Sequence, residues 1–239
     1  MKYRVVIDSY YDEKIPSNAS HNELVSQISN YMYDNFREKN IVVKLIQEKN
    51  VVLSTDDRTK KIVNAFGNDA YVIVISNGMS NGEKNGTNLI YALRNNDYLP
   101  KIISKELFCS GRSNINYFQK RSSTDSKKDY HLLHRDTGIT RSIIINYGYI
   151  DNKIDLINIK LNYKEYVDAI IEGVLKFIDR NTKIKKVHIV KSGDSLYSIA
   201  SRYGVMVHDL KNYNNLDNRI LNVGQIIYIV DKEDRQSLN

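Results

Sequence analysis

Histidines and carboxylates are the first side chains of this sequence to consider as metal ligands. His131 and His134 lie three residues apart, and His21 stands two residues before Glu23. If the segment around His131 is a strand, that separation points the two imidazoles to opposite faces. Two ligating groups alone make a poor zinc site. We therefore expect exposed or packing histidines at 131 and 134, and no metal at His21.

Ser76 is a candidate nucleophile. A serine nucleophile needs a base within reach, and no triad order is visible around Ser76. Cys109 is the single cysteine, which excludes an intramolecular disulfide and a cysteine-based zinc cluster. We expect it to be a small packing residue. The residues taken alone therefore offer no complete catalytic constellation.

Apolar runs alternate with amphipathic stretches over the first 180 residues. Predicted strands cover 5–7, 41–46, 70–75 and 142–147. Predicted helices cover 22–38, 56–66, 104–116 and 163–178. Between the third and fourth strands lies a loop with three glycines, SNGMSNGEKNG. Strands that alternate with helices predict a three-layer αβα domain around a mostly parallel sheet.

Charge and hydropathy narrow the choice of partner. The net charge of +7 favours an anionic partner, but the basic residues are scattered and form no nucleic-acid-binding motif. We therefore expect no nucleic acid. No apolar segment of 18 residues occurs, so no membrane span is expected. The first residues lack the pattern of a secretory signal, which predicts synthesis in the cytoplasm and delivery by lysis, a non-classical route or a larger particle.

The residues from His188 to Val230 form a second pattern, with a strand at 187–190, a helix after Asp194 and a stop at Gly204. We expect Asp194 to cap that helix and Gly204 to take the left-handed conformation at its end. A second helix at 207–213 and a closing strand complete a βααβ plan. Over its whole length this segment resembles the LysM (lysin motif) family, with Met206 in place of the usual Ser or Thr cap.

The LysM resemblance implies a shallow groove between two loops that binds N-acetylglucosamine-containing chains such as peptidoglycan. The implied groove residues are Gly193, Asp194, Ser195, Leu196, Tyr197, Asn218, Ile220, Leu221 and Asn222. In such a groove, polar groups would bond the acetamido groups while apolar residues cover the methyls and sugar faces. For Asp194 the role of helix cap is the competing interpretation.

Residues 1–180 resemble the zinc-dependent N-acetylmuramoyl-L-alanine amidases known as amidase 3. The resemblance runs in order through VVID, LSTDDRTKKIVN with Arg58, DAYVIVISNG, IIINYGYIDNKID and YVDAIIEGVLKFI. That family uses two histidines and a glutamate around zinc, plus a second glutamate as the base. The two histidine positions fall on Tyr11 and Ser76, and the catalytic glutamate falls on Asn146. Only the ligand glutamate is retained, as Glu23. The resemblance therefore implies a degenerate site without zinc or any other cofactor.

The predicted organisation is an amidase-like domain at 1–180, a linker at 181–186, a LysM domain at 187–231 and a tail at 232–239. We expect a non-enzymatic protein that binds peptidoglycan at the bacterial cell wall. A phage or phage-tail-like particle is one setting, with other particle or wall proteins as partners, and a spore layer is another. The alternative is an active peptidoglycan hydrolase with displaced ligands, which bound zinc would distinguish.

Overall fold

The computed structural model describes residues 4–9, 19–46, 53–66, 71–78, 82–138, 140–181, 184–214, 216 and 220–230. The strands of the N-terminal domain are β1 Arg4–Ser9, β2 Val42–Leu45, β3 Tyr71–Gly78, β4 Thr87–Tyr91, β5 Ile115–Phe118 and β6 Arg141–Tyr149. Its helices are α1 Ala19–Glu38, α2 Thr55–Phe66, α3 Tyr98–Cys109, α4 Leu132–Asp136 and α5 Lys153–Asn181. The C-terminal module contains β7 Ile184–Ile189, α6 Leu196–Tyr203, α7 Val207–Asn214 and β8 Ile226–Val230.

The N-terminal domain is built on one sheet with the strand order β2-β1-β3-β6-β4-β5. Strands β2, β1, β3 and β6 are mutually parallel, whereas β4 runs antiparallel to β6 and parallel to β5. The four parallel strands therefore end at one shared carboxyl edge.

Alternating side chains of the buried strands fill two separate cores. Val5 and Ile143 face a core completed by α1, α3 and α5, while Val6 and Ile144 face a smaller core with Ile62 of α2. Because both faces of the sheet are covered, its central strands are apolar on both sides. The predicted three-layer αβα architecture is confirmed.

Several elements differ from their sequence predictions. The helix expected at 104–116 is α3, which ends at Cys109, and β5 begins at Ile115. A chain reversal separates them, with positive φ at Gly111 (90°) and Asn114 (54°). Cys109 is exposed, so the expectation of a packing residue was wrong.

Helix α5 begins ten residues before the predicted position 163, at Lys153. Its regular geometry is interrupted at Asn162, with φ −119° and ψ 16°. The side-chain Nδ2 of Asn162 donates to the carbonyl oxygen of Asn158 at 3.0 Å. Side-chain bonds of this kind compete with the backbone bonds of a regular helix, and the helix is irregular at this residue.

The C-terminal module has the predicted βααβ order, with β7 and β8 antiparallel and two short helices. Its core contains Val190, Ile199, Ala200, Leu210, Ile227 and Ile229. Gly204 ends α6 in the left-handed conformation at φ 66°, as expected. Val187 is 44% exposed, because its strand turns His188 towards the interior of the module instead. Pairing of β7 already begins at Ile184, within the predicted linker.

The outer face of the two-stranded sheet packs against the N-terminal domain. Ile226 and Tyr228 are buried there with Tyr213 of α7. The Ile226 N–H donates to the Arg94 carbonyl at 3.0 Å, and Arg141 Nε donates to Tyr228 Oη at 2.7 Å. Since Arg141 is the first residue of β6, the module lies at the amino edge of the parallel strands, opposite their carboxyl edge.

Within the described ranges, no helix is both long and apolar enough to cross a membrane.

Candidate functional site

The two loops expected to form the groove of the C-terminal module are held side by side. Val190, the residue after β7, forms two hydrogen bonds with the second loop. Its N–H donates to the Gln225 carbonyl and its carbonyl accepts from the Gly224 N–H, both at 2.8 Å. The second loop is tightened further because the Asn222 N–H donates to Gln225 Oε1 at 3.0 Å. The two loops are therefore held next to each other.

The first loop is fixed by a carboxylate bonded to an imidazole. Asp194 Oδ2 lies 2.7 Å from His188 Nε2 and accepts from the Lys191 N–H at 2.8 Å. On its other side, His188 Nδ1 lies 3.1 Å from Tyr203 Oη. The bond from the Lys191 N–H, which is the largest cause, and the bond to His188 lower the pKa of Asp194. Asp194 thus anchors the turn.

The helix cap is Ser195, so the assignment of capping to Asp194 was wrong. Ser195 Oγ accepts from the Ser198 N–H at 3.0 Å, and Ser198 Oγ accepts from the Ser195 N–H at 2.9 Å. This reciprocal capping box satisfies two donors at the start of α6. Asp194 is consequently available to bond His188.

The expected groove residues differ in what they offer to a ligand. Tyr197 and Ile220 are each 77% exposed, and Gly193 and Asn222 are exposed as well. Leu196 is buried, which corrects the expectation that its side chain lines the groove. Leu221 is half-buried against the module's core. Asn218 lies outside the described residues.

The carboxyl edge of the large sheet carries neutral polar residues. Ser76 of β3 is paired in register with Asn146 of β6, and Asn146 is paired with Asn88 of β4. Asn88 Nδ2 donates to Tyr149 Oη at 2.8 Å. Glu23 is exposed on α1, and Tyr11 lies outside the described residues. The structure thus places Ser76 and Asn146 side by side, as the resemblance implies.

A buried ion pair stands at the end of β1. The carboxylate of Asp8 accepts from Nε of Arg58 at 3.3 Å and also from its Nη2, which links β1 to α2. Burial raises the pKa of Asp8, and the Arg58 guanidinium opposes that shift. Sequence reasoning identified Arg58 as part of a motif but not its partner.

A second buried ion pair joins the segment between α3 and β5 to α5, and sequence reasoning missed it. Asp155 Oδ1 lies 2.7 Å from Arg112 Nη1, while its Oδ2 accepts from the N–H groups of Tyr149 and Gly86 at 2.8 and 3.1 Å. A Cβ at Gly148 would come within 2.6 Å of Asp155 Oδ2, so this approach needs glycine. The carboxylates of Asp8 and Asp155 are therefore both committed to arginines.

His131 and His134 are not on a strand, because His131 precedes α4 and His134 lies within it. Their rings are 5.9 Å apart, and His134 Nδ1 lies 2.6 Å from Ser142 Oγ. Burial lowers the pKa of His131 to about 4 and that of His134 to about 3. Both imidazoles are therefore neutral near pH 7, and His134 connects α4 to β6.

Comparison with known protein families gives two matches along the chain. The family described as N-acetylmuramoyl-L-alanine amidase matches residues 13–180, which is more than half of the chain. The chain belongs to the N-acetylmuramoyl-L-alanine amidase family. A LysM domain matches residues 188–230. Both resemblances seen in the sequence are thereby confirmed.

Curated relatives share parts of this two-domain chain. An autolysin of Enterococcus faecalis is 26% identical over 179 residues, 61% of this chain and 24% of the relative. The probable peptidoglycan endopeptidase LytE of Bacillus subtilis is 47% identical over 38 residues, 16% of this chain and 11% of the relative. The chain spans about a tenth to a quarter of the length of these relatives.

Two solved structures illustrate the fold that the N-terminal domain shares with known proteins. Cwp6 from Clostridium difficile has a TM-score of 0.63 at 19% identity, covering 74% of this chain and 29% of Cwp6. The catalytic domain of CwlV, an N-acetylmuramoyl-L-alanine amidase from Bacillus (Paenibacillus) polymyxa var. colistinus, has a TM-score of 0.58 at 17% identity. That match covers 75% of this chain and 99% of the CwlV domain.

The residues at the amidase-family positions do not fit the zinc that the family implies. Zinc sites in proteins use imidazole, thiolate and carboxylate ligands, whereas the two histidine positions hold the phenol of Tyr11 and the hydroxyl of Ser76, so that Glu23 is the one ordinary zinc ligand among them. Across the part of the chain that the structure describes, no three His, Cys, Asp or Glu residues are grouped to hold a metal ion.

Proposed function

We propose that this protein binds peptidoglycan through its LysM domain and that its amidase-family domain is a non-catalytic scaffold. The observation that carries the binding proposal is the pair of tied loops, with Ile220 exposed before the second loop and Tyr197 exposed in the first turn of α6, after the first loop. An exposed phenol ring and an aliphatic side chain suit the sugar faces and the acetamido methyls of N-acetylglucosamine.

The absence of amidase chemistry is the second part of the proposal. Hydrolysis needs a group that accepts the proton of the attacking water, and the amide of Asn146 has no such basicity. Asp8 and Asp155 lie near the same edge, but their negative charges are paired with buried arginines. The alternative, an active amidase with displaced ligands, requires zinc bound elsewhere. A phage or phage-tail-like particle as the setting stays a prediction.

Retention of the full chain on insoluble peptidoglycan tests the binding proposal. We expect Tyr197→Ala combined with Ile220→Ala to lower the affinity about tenfold, since each removes apolar contact area. Met206→Ala is the matched control because Met206 is an exposed apolar residue of the same domain outside the two loops. Equal retention of the double variant and the control would show that peptidoglycan binds to a part of the protein other than the two loops.

A further inference from the structure

The outward face of the first part of α5 carries large aliphatic side chains that the core does not use. Ile154, Ile157 and Leu161 are 80%, 58% and 74% exposed. Their spacing of three and four residues places them on one face of the helix. The inward face of the same segment already supplies Asp155 and Ile159 to the interior. We call Ile154, Ile157 and Leu161 the α5 stripe.

Lysines border the α5 stripe. Lys153 stands four residues before Ile157 and Lys160 three residues after it, so both lie beside it on the helix surface. Both are exposed, and neither forms an ion pair with a described residue. Lys164 is exposed one turn further on, with its Nζ 5.7 Å from the ring centroid of Tyr31. The border is therefore positively charged and available to an anionic partner.

A second copy of this chain is a poor occupant of the α5 stripe. Between residues 153 and 161 the single carboxylate is Asp155, which is buried against Arg112. Two stripes related by a two-fold axis would bring Lys153 and Lys160 of both copies together without acidic partners. Their mutual repulsion opposes the gain from burying a few aliphatic side chains.

An anionic membrane surface is also a poor occupant. Beyond the interruption at Asn162, the exposed residues of α5 include Glu165, Asp168 and Glu172. A flat surface that follows α5 would press these carboxylates against anionic headgroups. The stripe, which spans roughly 10 Å from Ile154 to Leu161 at the rise of an α-helix, therefore suits a partner of limited extent.

We propose that the α5 stripe docks an acidic protein segment, with an aliphatic centre bordered by carboxylates, such as an acidic amphipathic helix. Its aliphatic residues would bury Ile154, Ile157 and Leu161, while its carboxylates would pair with Lys153 and Lys160. This surface belongs to the N-terminal domain and is independent of glycan binding by the LysM domain.

A synthetic helical peptide with leucines at positions i, i+3, i+4 and i+7 and flanking glutamates is the probe. Binding of the labelled peptide to the full chain is followed by fluorescence anisotropy, next to a peptide with lysines in place of the glutamates. We expect the acidic peptide to bind and Ile154→Ser with Leu161→Ser to weaken it about tenfold. Lys153→Glu with Lys160→Glu should reverse the preference towards the basic peptide.

The matched control is Lys101→Glu with Lys105→Glu, which makes the same charge change on exposed lysines of α3. It should leave the affinity of the acidic peptide unchanged. Failure of the acidic peptide to bind, or equal binding of both peptides, overturns the proposal. Stripe-dependent binding to phosphatidylglycerol vesicles, or a dimer in sedimentation that Ile157→Ser abolishes, also overturns it in favour of a membrane or a second copy.

Discussion

Ser76 and Asn146 stand opposite each other on neighbouring parallel strands, at the edge where the amidase resemblance places a zinc-binding histidine and a catalytic glutamate. On the far side of Asn146, β4 adds Asn88. Three adjacent strands thus carry neutral polar residues at one edge. Such groups can hydrogen-bond a glycan or peptide, but they supply neither a strong zinc ligand nor a base.

Zinc content is the first prediction from this pairing. The purified full chain should contain far less than one zinc per chain after dialysis, because Tyr11 and Ser76 replace the two imidazoles of the family. Metal analysis by mass spectrometry checks this, with an active amidase of the family as the positive control. Stoichiometric zinc that survives dialysis would support the hydrolase alternative.

The buried pair of Asp8 and Arg58 should contribute strongly to the stability of the N-terminal domain. Arg58→Met leaves the buried Asp8 carboxylate without its partner, and loss of one member of such a pair costs about 3–5 kcal/mol. Urea unfolding measures the change. Adding Asp8→Asn to Arg58→Met should recover part of that loss, because the unpaired charge is then removed.

The exposed pair of Asp125 and Lys128 provides the control for Arg58→Met. Asp125→Asn breaks an ion pair whose two side chains are largely in water. It should leave the urea midpoint unchanged. If Arg58→Met is as mild as Asp125→Asn, the Asp8 pair does not hold β1 to α2 as the structure indicates.

The contact between the two domains gives a third prediction. Tyr228→Phe removes the hydroxyl that accepts from Arg141, and loss of a hydrogen bond to a charged group costs about 2 kcal/mol. Thermal unfolding should show the loss. Tyr197→Phe removes a hydroxyl from an exposed tyrosine of the same domain and should change little. Equal effects of both variants would mean that the Arg141 contact does not stabilise the docked arrangement.

Asp194 gives the LysM loops a dependence on pH. Its pKa is held below the ordinary value of 3.8, so the folded state favours the carboxylate. The Asp194 carboxylate therefore stabilises the folded LysM domain above about pH 4, and this contribution is lost as the pH falls through the lowered pKa of Asp194. Peptidoglycan retention should decline in that acidic range.

Asp194→Asn tests the origin of this pH dependence. The variant should bind less at neutral pH, since the turn loses its charged acceptor, and its retention should vary less between pH 2 and about pH 5. Unfolding of the variant is followed over the same range. A variant with the wild-type pH profile would assign the acid sensitivity to another group.

Helices and strands whose buried apolar residues recur at regular spacing could be predicted from the sequence. The alternation of Val5, Val6 and Ile7 between two cores, and the apolar stripe of α1, identify those elements directly. Strand β5 was missed because it is an edge strand with largely exposed side chains, so no apolar period marks it. The start of α5 was missed because its apolar residues lie on both faces: Ile154, Ile157 and Leu161 are exposed, whereas Ile159 and the acidic Asp155 are buried.

In the candidate sites, the role of a residue could be predicted only where its type alone determines that role. Gly204 ends α6 because its left-handed backbone favours glycine, and the sequence shows this. By contrast, Asp194 and Ser195 both have side chains that can cap a helix. The choice between them depends on His188, which lies across the turn in β7. Likewise the pairing of Arg112 with Asp155 depends on strand order, which spacing along the chain does not reveal.

Release of free amino groups from purified sacculi is the most direct test of a non-catalytic amidase-family domain. The full chain, incubated with sacculi beside an active amidase, should release no more than the buffer background while remaining bound to the pellet. Release above background that disappears in Glu23→Ala or on chelation of zinc would show that the carboxyl edge still catalyses hydrolysis, and it would contradict the account.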